Sequence, residues 1–338
     1  MSNAECSRIV GSMTSTNPPT SRRTVILFLL VTAFVVVLTY VIHLSTVQRD
    51  HFTKRGGKLV EIEQSPVELR DDGSVLADTL LLSSGGLRIR LRTLLPPEVA
   101  NGRIPVVLLI GGHRTGRYAV DLVDDPRGIA YVAIDYPYEG EHSLSGALQI
   151  LGAVPDIQEV FLDTPPALTL AMDWLSGQPW FDANRAEIAG VSLGVPFAAV
   201  AGGLDTRFSR VWLIHGAVEN HEWVMHASRD RIRNRVLRSL AVRGTLLLAY
   251  GNSFQTADWL REIAPRPVIL IAARNDDRVP ASSIDAIVEV SKSDHIRLVW
   301  TEGLHIDPDR DFELQQLIRI VADEINIRGY NGRPAVIQ

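Results

Sequence analysis

The chain has 338 residues, 46% hydrophobic and 22% charged, with a formal net charge of −5. That is long enough for a full hydrophobic core with a further segment beside it, and the acidic balance argues against a nucleic-acid partner. The one cysteine, Cys6, excludes a disulfide within the chain and any cysteine-built metal site.

Residues 1–23 are rich in Ser, Thr, Asn and Pro and read as a disordered tail. Residues 24–44, TVILFLLVTAFVVVLTYVIHL, follow with no formal charge. At about 1.5 Å per residue they can cross a hydrocarbon core of roughly 30 Å. Arg22 and Arg23 precede this run as in a signal sequence. It is longer than the about 7–15 residues of a cleaved signal, and no small-x-small site follows. The expectation is a single-pass, uncleaved membrane anchor. Arg8, Arg22 and Arg23 on one side nearly balance Arg49, Lys54, Arg55 and Lys58 on the other, so charge does not set the orientation. The likeness to a signal anchor places the remainder outside the cytoplasm. Residues 45–60 read as a basic, polar linker and 61–338 as the folded domain.

Strand patterns begin with Val67 to Arg70 and Leu80 to Leu82. Leu87 to Arg92 alternates apolar and charged residues, as a half-buried strand does. Ser83-Ser84-Gly85-Gly86 supplies the turn of an antiparallel hairpin. Beyond it, apolar runs alternate with helical stretches. Val106 to Ile110 and Ile129 to Ile134 are continuous apolar strands, the pattern of a parallel sheet covered on both faces. Thr164-Pro165-Pro166 reads as the N-cap and first turn of a helix reaching Gly177. Glu187 to Ala189, Val211 to Ile214, Val268 to Ala272 and Ile296 to Trp300 continue the strands. A helix over Asp311 to Ile325 closes the pattern, with Leu314, Leu317, Ile318, Val321 and Ile325 on one face. The order predicts an α/β fold with a mostly parallel sheet flanked by helices. Residues 219–257 interrupt it as a helical cap insertion. Within the cap, Ser228 to Arg243 predicts a basic amphipathic helix bearing Arg229, Arg231, Arg233, Arg235, Arg238 and Arg243. Ile232, Val236 and Leu240 share its apolar face, which either lies in solvent or rests on anionic lipid.

Chemistry converges on Gly190-Val191-Ser192-Leu193-Gly194. A G-x-S-x-G run between a strand and a helix forms a sharp elbow that raises the serine above the sheet. Gly190 and Gly194 remove side chains that would collide there. A serine hydroxyl needs a base within hydrogen-bond reach, and a histidine base needs an acid to hold its tautomer. In an open parallel sheet these groups sit at the C-terminal ends of strands. Asp276 and Asp277 follow the strand Val268 to Ala272, and Asp277 also suits the cap of a helix starting near Ala281. Of nine histidines, His305 alone follows the last strand and completes the order Ser, Asp, His. His215 ends a strand too early for that role, and His113 and His142 lie on earlier loops. Backbone N–H groups of Leu193 and Gly112 are the candidate donors to an oxyanion.

These stretches resemble an α/β-hydrolase, nearest the dienelactone-hydrolase, acetyl-esterase and prolyl-oligopeptidase branches. The likeness runs from Ser84-Gly85-Gly86-Leu87-Arg88-Ile89 through Val107 to Gly112, Asp135 to Gly140, and Ala171 to Gly194. It ends on Ile263 to Val268 with Asp276 and Val279-Pro280. The resemblance implies an α/β-hydrolase fold and selects Asp276 as the acid by its distance from Val279-Pro280. It departs where Ile306-Asp307 follow His305, since many members have a glycine nearby. The implied activity is a serine hydrolase, cleaving a small acyl ester or, alternatively, a short peptide or amide. A third possibility is an inactive anchored binding module. Neither metal nor organic cofactor is implied, and the oligomeric state is left open.

Overall fold

The computed structural model describes residues 22–44, 46, 49–112, 115–137 and 152–328. The tail expected over residues 1–23 falls outside them as far as residue 21, as do Cys6, His113, His142 and the stretch Tyr138-Glu139-Gly140. The chain divides into two units, Met1–Leu44 and Ser45–Gln338.

In the first unit a single helix, α1 (Arg22–Leu44), covers the apolar run. An 18-residue stretch within Arg22–His43 has a mean hydropathy of 3.0, and none of that stretch is buried in protein. It is long and apolar enough to cross a bilayer, a property shared by signal sequences near an N-terminus.

The second unit opens with α2 (Arg49–Gly56). Strands β1 (Leu59–Gln64), β2 (Glu68–Leu69), β3 (Val75–Ser83) and β4 (Arg88–Leu95) follow. Then come β5 (Ile104–Ile110), β6 (Ala130–Ile134), α3 (Val154–Ser176), β7 (Phe181–Val191) and α4 (Val195–Leu204). The chain continues through β8 (Arg210–Ile214), α5 (Asn220–Ala227), α6 (Arg235–Leu248) and α7 (Thr256–Ile263). It closes with β9 (Val268–Ala273), α8 (Ala281–Val290), β10 (Ile296–Thr301) and α9 (Asp311–Arg328). The strands form one ten-stranded sheet in the order β1-β3-β4-β6-β5-β7-β8-β9-β10, with β2 paired to β3 off that path. Pairing is antiparallel from β1 through β4 to β6 and parallel from β6 to β10.

The apolar runs explain the layering. Every residue of β6, β8 and β9 is buried, because helices or helical turns cover both faces of the sheet. One core layer holds Phe197, Leu168 and Leu175 from α3 and α4. The other holds Leu317, Val321 and Ile325 from α9, with Val120 from the 3₁₀ turn Gly116–Leu122. Register places Ile110 beside Gly190, Val191 beside Ile214, and Thr301 beside Ala273. The loops after β5, β7, β8, β9 and β10 therefore leave one edge of the sheet together. Below that edge, Glu187 and Arg210 face each other across β7 and β8 with both side chains buried, 3.2 Å apart. Trp212 Nε1 donates to Glu187 at 2.5 Å, and Glu324 of α9 reaches Arg210 at 3.7 Å and Arg297 at 2.7 Å.

The structure revises several local expectations. The segment read as a linker contains α2 and the start of β1, and its Phe52 is buried. The helix expected to open at Thr164 begins ten residues earlier at Val154, with Pro165 and Pro166 in its interior. Thr164 caps nothing; its hydroxyl donates to the Val160 carbonyl at 2.6 Å. The cap is helical, but its basic stretch is not one helix. Residues 228–234 turn, and Asn234 caps α6 by accepting from the Val236 and Leu237 amides at 3.0 and 3.1 Å. Val236, Leu237 and Leu240 are exposed.

Candidate active site

Ser192 leaves β7 at the start of a 3₁₀ turn, Ser192–Gly194, that runs directly into α4. Its φ is +54°, a left-handed conformation that L-residues hold only under constraint. The constraint is steric. A Cβ on Gly194 would collide with the carbonyl oxygen of Ile110. One on Gly190 would lie 2.5 Å from the Gly194 oxygen and 2.6 Å from the Ala198 Cβ. Only glycines allow the elbow to pass this close to β5 and α4.

His305 and Asp276 reach the serine from the two loops beyond β9 and β10. His305 Nε2 lies 2.8 Å from Ser192 Oγ, and Nδ1 lies 2.9 Å from Asp276 Oδ2. A carboxylate only accepts, so Nδ1 carries the proton and Nε2 accepts the serine hydroxyl. Both side chains are 2% exposed. Burial pushes the Asp276 carboxyl up. The hydrogen bond and charge of His305, with the amides of Val279 and Arg278, outweigh it and hold the carboxyl below its usual range. Those amides donate to Asp276 Oδ1, each at 2.8 Å. Asp277 does not cap α8; its Oδ1 accepts the His305 backbone N–H at 3.2 Å. The two neighbouring aspartates thus hold the ring and the backbone of one histidine.

His215, set aside in the sequence because of its chain position, lies against this line. Its φ is +50° and it is 6% exposed. Nδ1 accepts the Ile306 amide at 2.9 Å, so Nε2 carries the proton and donates to Thr301 Oγ1 at 3.0 Å. Burial, with the neighbouring His305 charge, pushes its pKa down to about 4 against the opposing pull of Asp276. A neutral His215 therefore fixes the first residue after His305. Arg310 fixes the other side by donating to the His305 carbonyl at 2.8 Å. The sequence signal for His215 was its position at the end of the strand beside the elbow.

Of the expected oxyanion donors, Leu193 follows Ser192 in the 3₁₀ turn and Gly112 lies on the loop after β5. Tyr136 donates to the Gly111 carbonyl at 2.6 Å and Thr115 donates to the Gly112 carbonyl through its amide at 3.1 Å, which orients that loop. Among the described residues, His215, Asp276 and His305 bring donor atoms within 4.8 Å of one another. Their ring nitrogens already serve Ser192, Asp276, Ile306 and Thr301, so a cation there would break the hydrogen-bonded line.

No protein-family profile and no curated protein matches the sequence. Solved structures do. Acetyl xylan esterase 1 from Thermoanaerobacterium sp. JW/SL YS485 superposes with a TM-score of 0.54 at 15% identity, over 82% of this chain and 92% of that one. A cold-adapted esterase from an Arctic intertidal metagenomic library gives 0.54 at 15% identity, over 78% and 99%. The 2,6-dihydroxy-pseudo-oxynicotine hydrolase gives 0.53 at 20% identity, over 76% and 69%. With the sheet order above, these likenesses establish that the chain has the α/β-hydrolase fold.

Proposed function

We propose that this chain is a membrane-anchored serine hydrolase that cleaves carboxylic acyl esters. The observation that carries the reading is the hydrogen-bonded line Ser192–His305–Asp276, with 2.8 and 2.9 Å links, ending on a serine held at positive φ. The esterases among the structures of like fold favour an ester over an amide.

Ser192 Oγ attacks the ester carbonyl carbon while His305 Nε2 takes its proton. The carbonyl electron pair moves onto oxygen, where the N–H groups of Leu193 and Gly112 receive it. Losing one such donor costs about 3–4 kcal/mol of transition-state stabilisation. As the carbonyl re-forms, the ester C–O bond breaks and His305 gives the proton to the departing alcohol. Water then repeats the sequence on the acyl-serine, releasing the acid and restoring the hydroxyl. Asp276, ionised, steadies the imidazolium in both halves. The helix α4 adds its positive N-terminal dipole beside the elbow.

Ser192→Ala is expected to abolish turnover of p-nitrophenyl acetate and butyrate, and labelling by a fluorophosphonate probe, while the unfolding midpoint changes little. Unchanged turnover in that variant would overturn the assignment. The signal-anchor likeness supports a hydrolase unit outside the cytoplasm, and protease added to intact spheroplasts is then expected to digest it; full protection reverses the orientation.

A further inference from the structure

An apolar cavity of about 140 Å³ opens beside Ser192 and runs inward between the sheet and α9. It starts at Gly111, Gly112 and Ser192 and reaches Val107 and Tyr131. Val107 and Leu109 alternate along β5 and so share one face, with Tyr131 in register beside Val107 and Ala189 beside Leu109. The far wall is α9, through Leu314, Leu317, Ile318 and Val321.

The cause is a short connection. Among the described residues, the connection from β5 to β6 covers this face with the 3₁₀ turn Gly116–Leu122, and the small side chain of Ala119 lines the space left over. An apolar void of about 150 Å³ stays dry and takes up a benzene-sized molecule, so this one suits about six carbons.

We propose that the cavity receives the acyl chain of the substrate, making the preferred substrate an ester of a linear acid of about six carbons. This rests on the serine-hydrolase reading above. The acyl group stays bonded to Ser192 Oγ through the second half of the reaction and can occupy a space running inward from it. The alcohol must accept a proton from His305 and leave, which an inward-running cavity does not serve. The lining offers the chain aliphatic contact from both the sheet and α9.

The test uses the full chain in phospholipid nanodiscs with two substrate ladders: p-nitrophenyl esters from acetate to decanoate, and acetates of alcohols of increasing length. Active protein is counted by fluorophosphonate labelling. The expected result is a kcat/KM that rises about fourfold per methylene up to about hexanoate, then falls, with no such rise along the alcohol ladder. Ala119→Leu should fill the space and lower the hexanoate-to-acetate ratio by about tenfold, and Ile318→Ala should move the optimum to longer chains. The second variant serves if the first does not fold. Protein that labels and hydrolyses acetate, yet shows a flat acyl profile or a rise along the alcohol ladder instead, overturns the acyl assignment and leaves the serine hydrolase standing. Failure to label overturns both.

Discussion

Ser192 and His215 end neighbouring strands, and both hold left-handed backbone, at φ +54° and +50°. Such strain persists only where surrounding contacts over-determine it. At Ser192 the contacts are the crowded glycines; at His215 they are the Ile306 amide and the Thr301 hydroxyl. His215 also makes stability depend on pH. Its folded pKa of about 4 lies below the ordinary histidine value of about 6.5. Folding therefore excludes the proton, and the contribution is complete above about pH 6.5 and lost as pH falls through 4. Urea unfolding of the wild type and of His215→Gln should show a stability gap that narrows by on the order of 2–3 kcal/mol between pH 7 and pH 4. A gap constant over that range removes His215 from the account. At this scale the juxtaposition of Ser192, Asp276 and His305 was legible, because chain order and strand ends constrain three residue types at once. Choosing Asp276 over Asp277 needed the family likeness, and the geometry shows both in use, one on the ring and one on the backbone. His215 ends its strand too early in the chain to be the base, and its contribution is instead a hydrogen bond accepted from the Ile306 amide.

The element least visible in the sequence is α2. Its eight residues, RDHFTKRG, carry one large apolar side chain, too few for a periodic signal. That side chain, Phe52, is 4% exposed and packs edge-on against Phe254 of the cap at 6.0 Å. Phe254 in turn meets Phe161 and Phe197 at 5.2 and 5.5 Å, and Phe197 meets Tyr136, the residue that holds the Gly111 carbonyl. Beside Phe52, Arg55 donates to both oxygens of the buried Asp163 at 2.6 and 2.7 Å. Phe52→Ala is expected to cost about 3–5 kcal/mol in urea unfolding, and a fragment starting at residue 59 should melt below one starting at 46. Equal melting of the two fragments would show that α2 is dispensable. The start of α3 was misread for a related reason. A Thr-Pro-Pro run is a good helix opening, but the residues from Asp163 to Leu175 are largely buried, and their packing outweighs the backbone donors lost at Pro165 and Pro166.

Across the whole molecule, the alternation of strands and helices was enough to anticipate a parallel sheet with an antiparallel start. It could not reveal that β5 inserts between β6 and β7, since strand order depends on crossovers that leave no local mark. The sheet has two unlike ends: loops bearing Ser192, His215, Asp276 and His305 at one, and the buried Glu187–Arg210–Glu324 cluster with Arg297 toward the other. The remaining unit, α1, is the part whose role in the cell hydropathy best addresses. The full chain should stay with the membrane fraction through an alkaline carbonate wash, and a fragment from residue 46 should not. N-terminal sequencing that finds α1 removed would make it a signal sequence rather than an anchor.

The glycines around the serine differ in how much room they leave. A side chain at Gly190 or Gly194 meets backbone at once, whereas one at Gly112 would find no heavy atom of the described residues within 4 Å, and Gly112 is not among the residues with positive φ. In a saturation library, positions 190 and 194 should return glycine alone, while position 112 should admit alanine and serine. Diversification of this scaffold has an open door at Gly112 and none in the elbow.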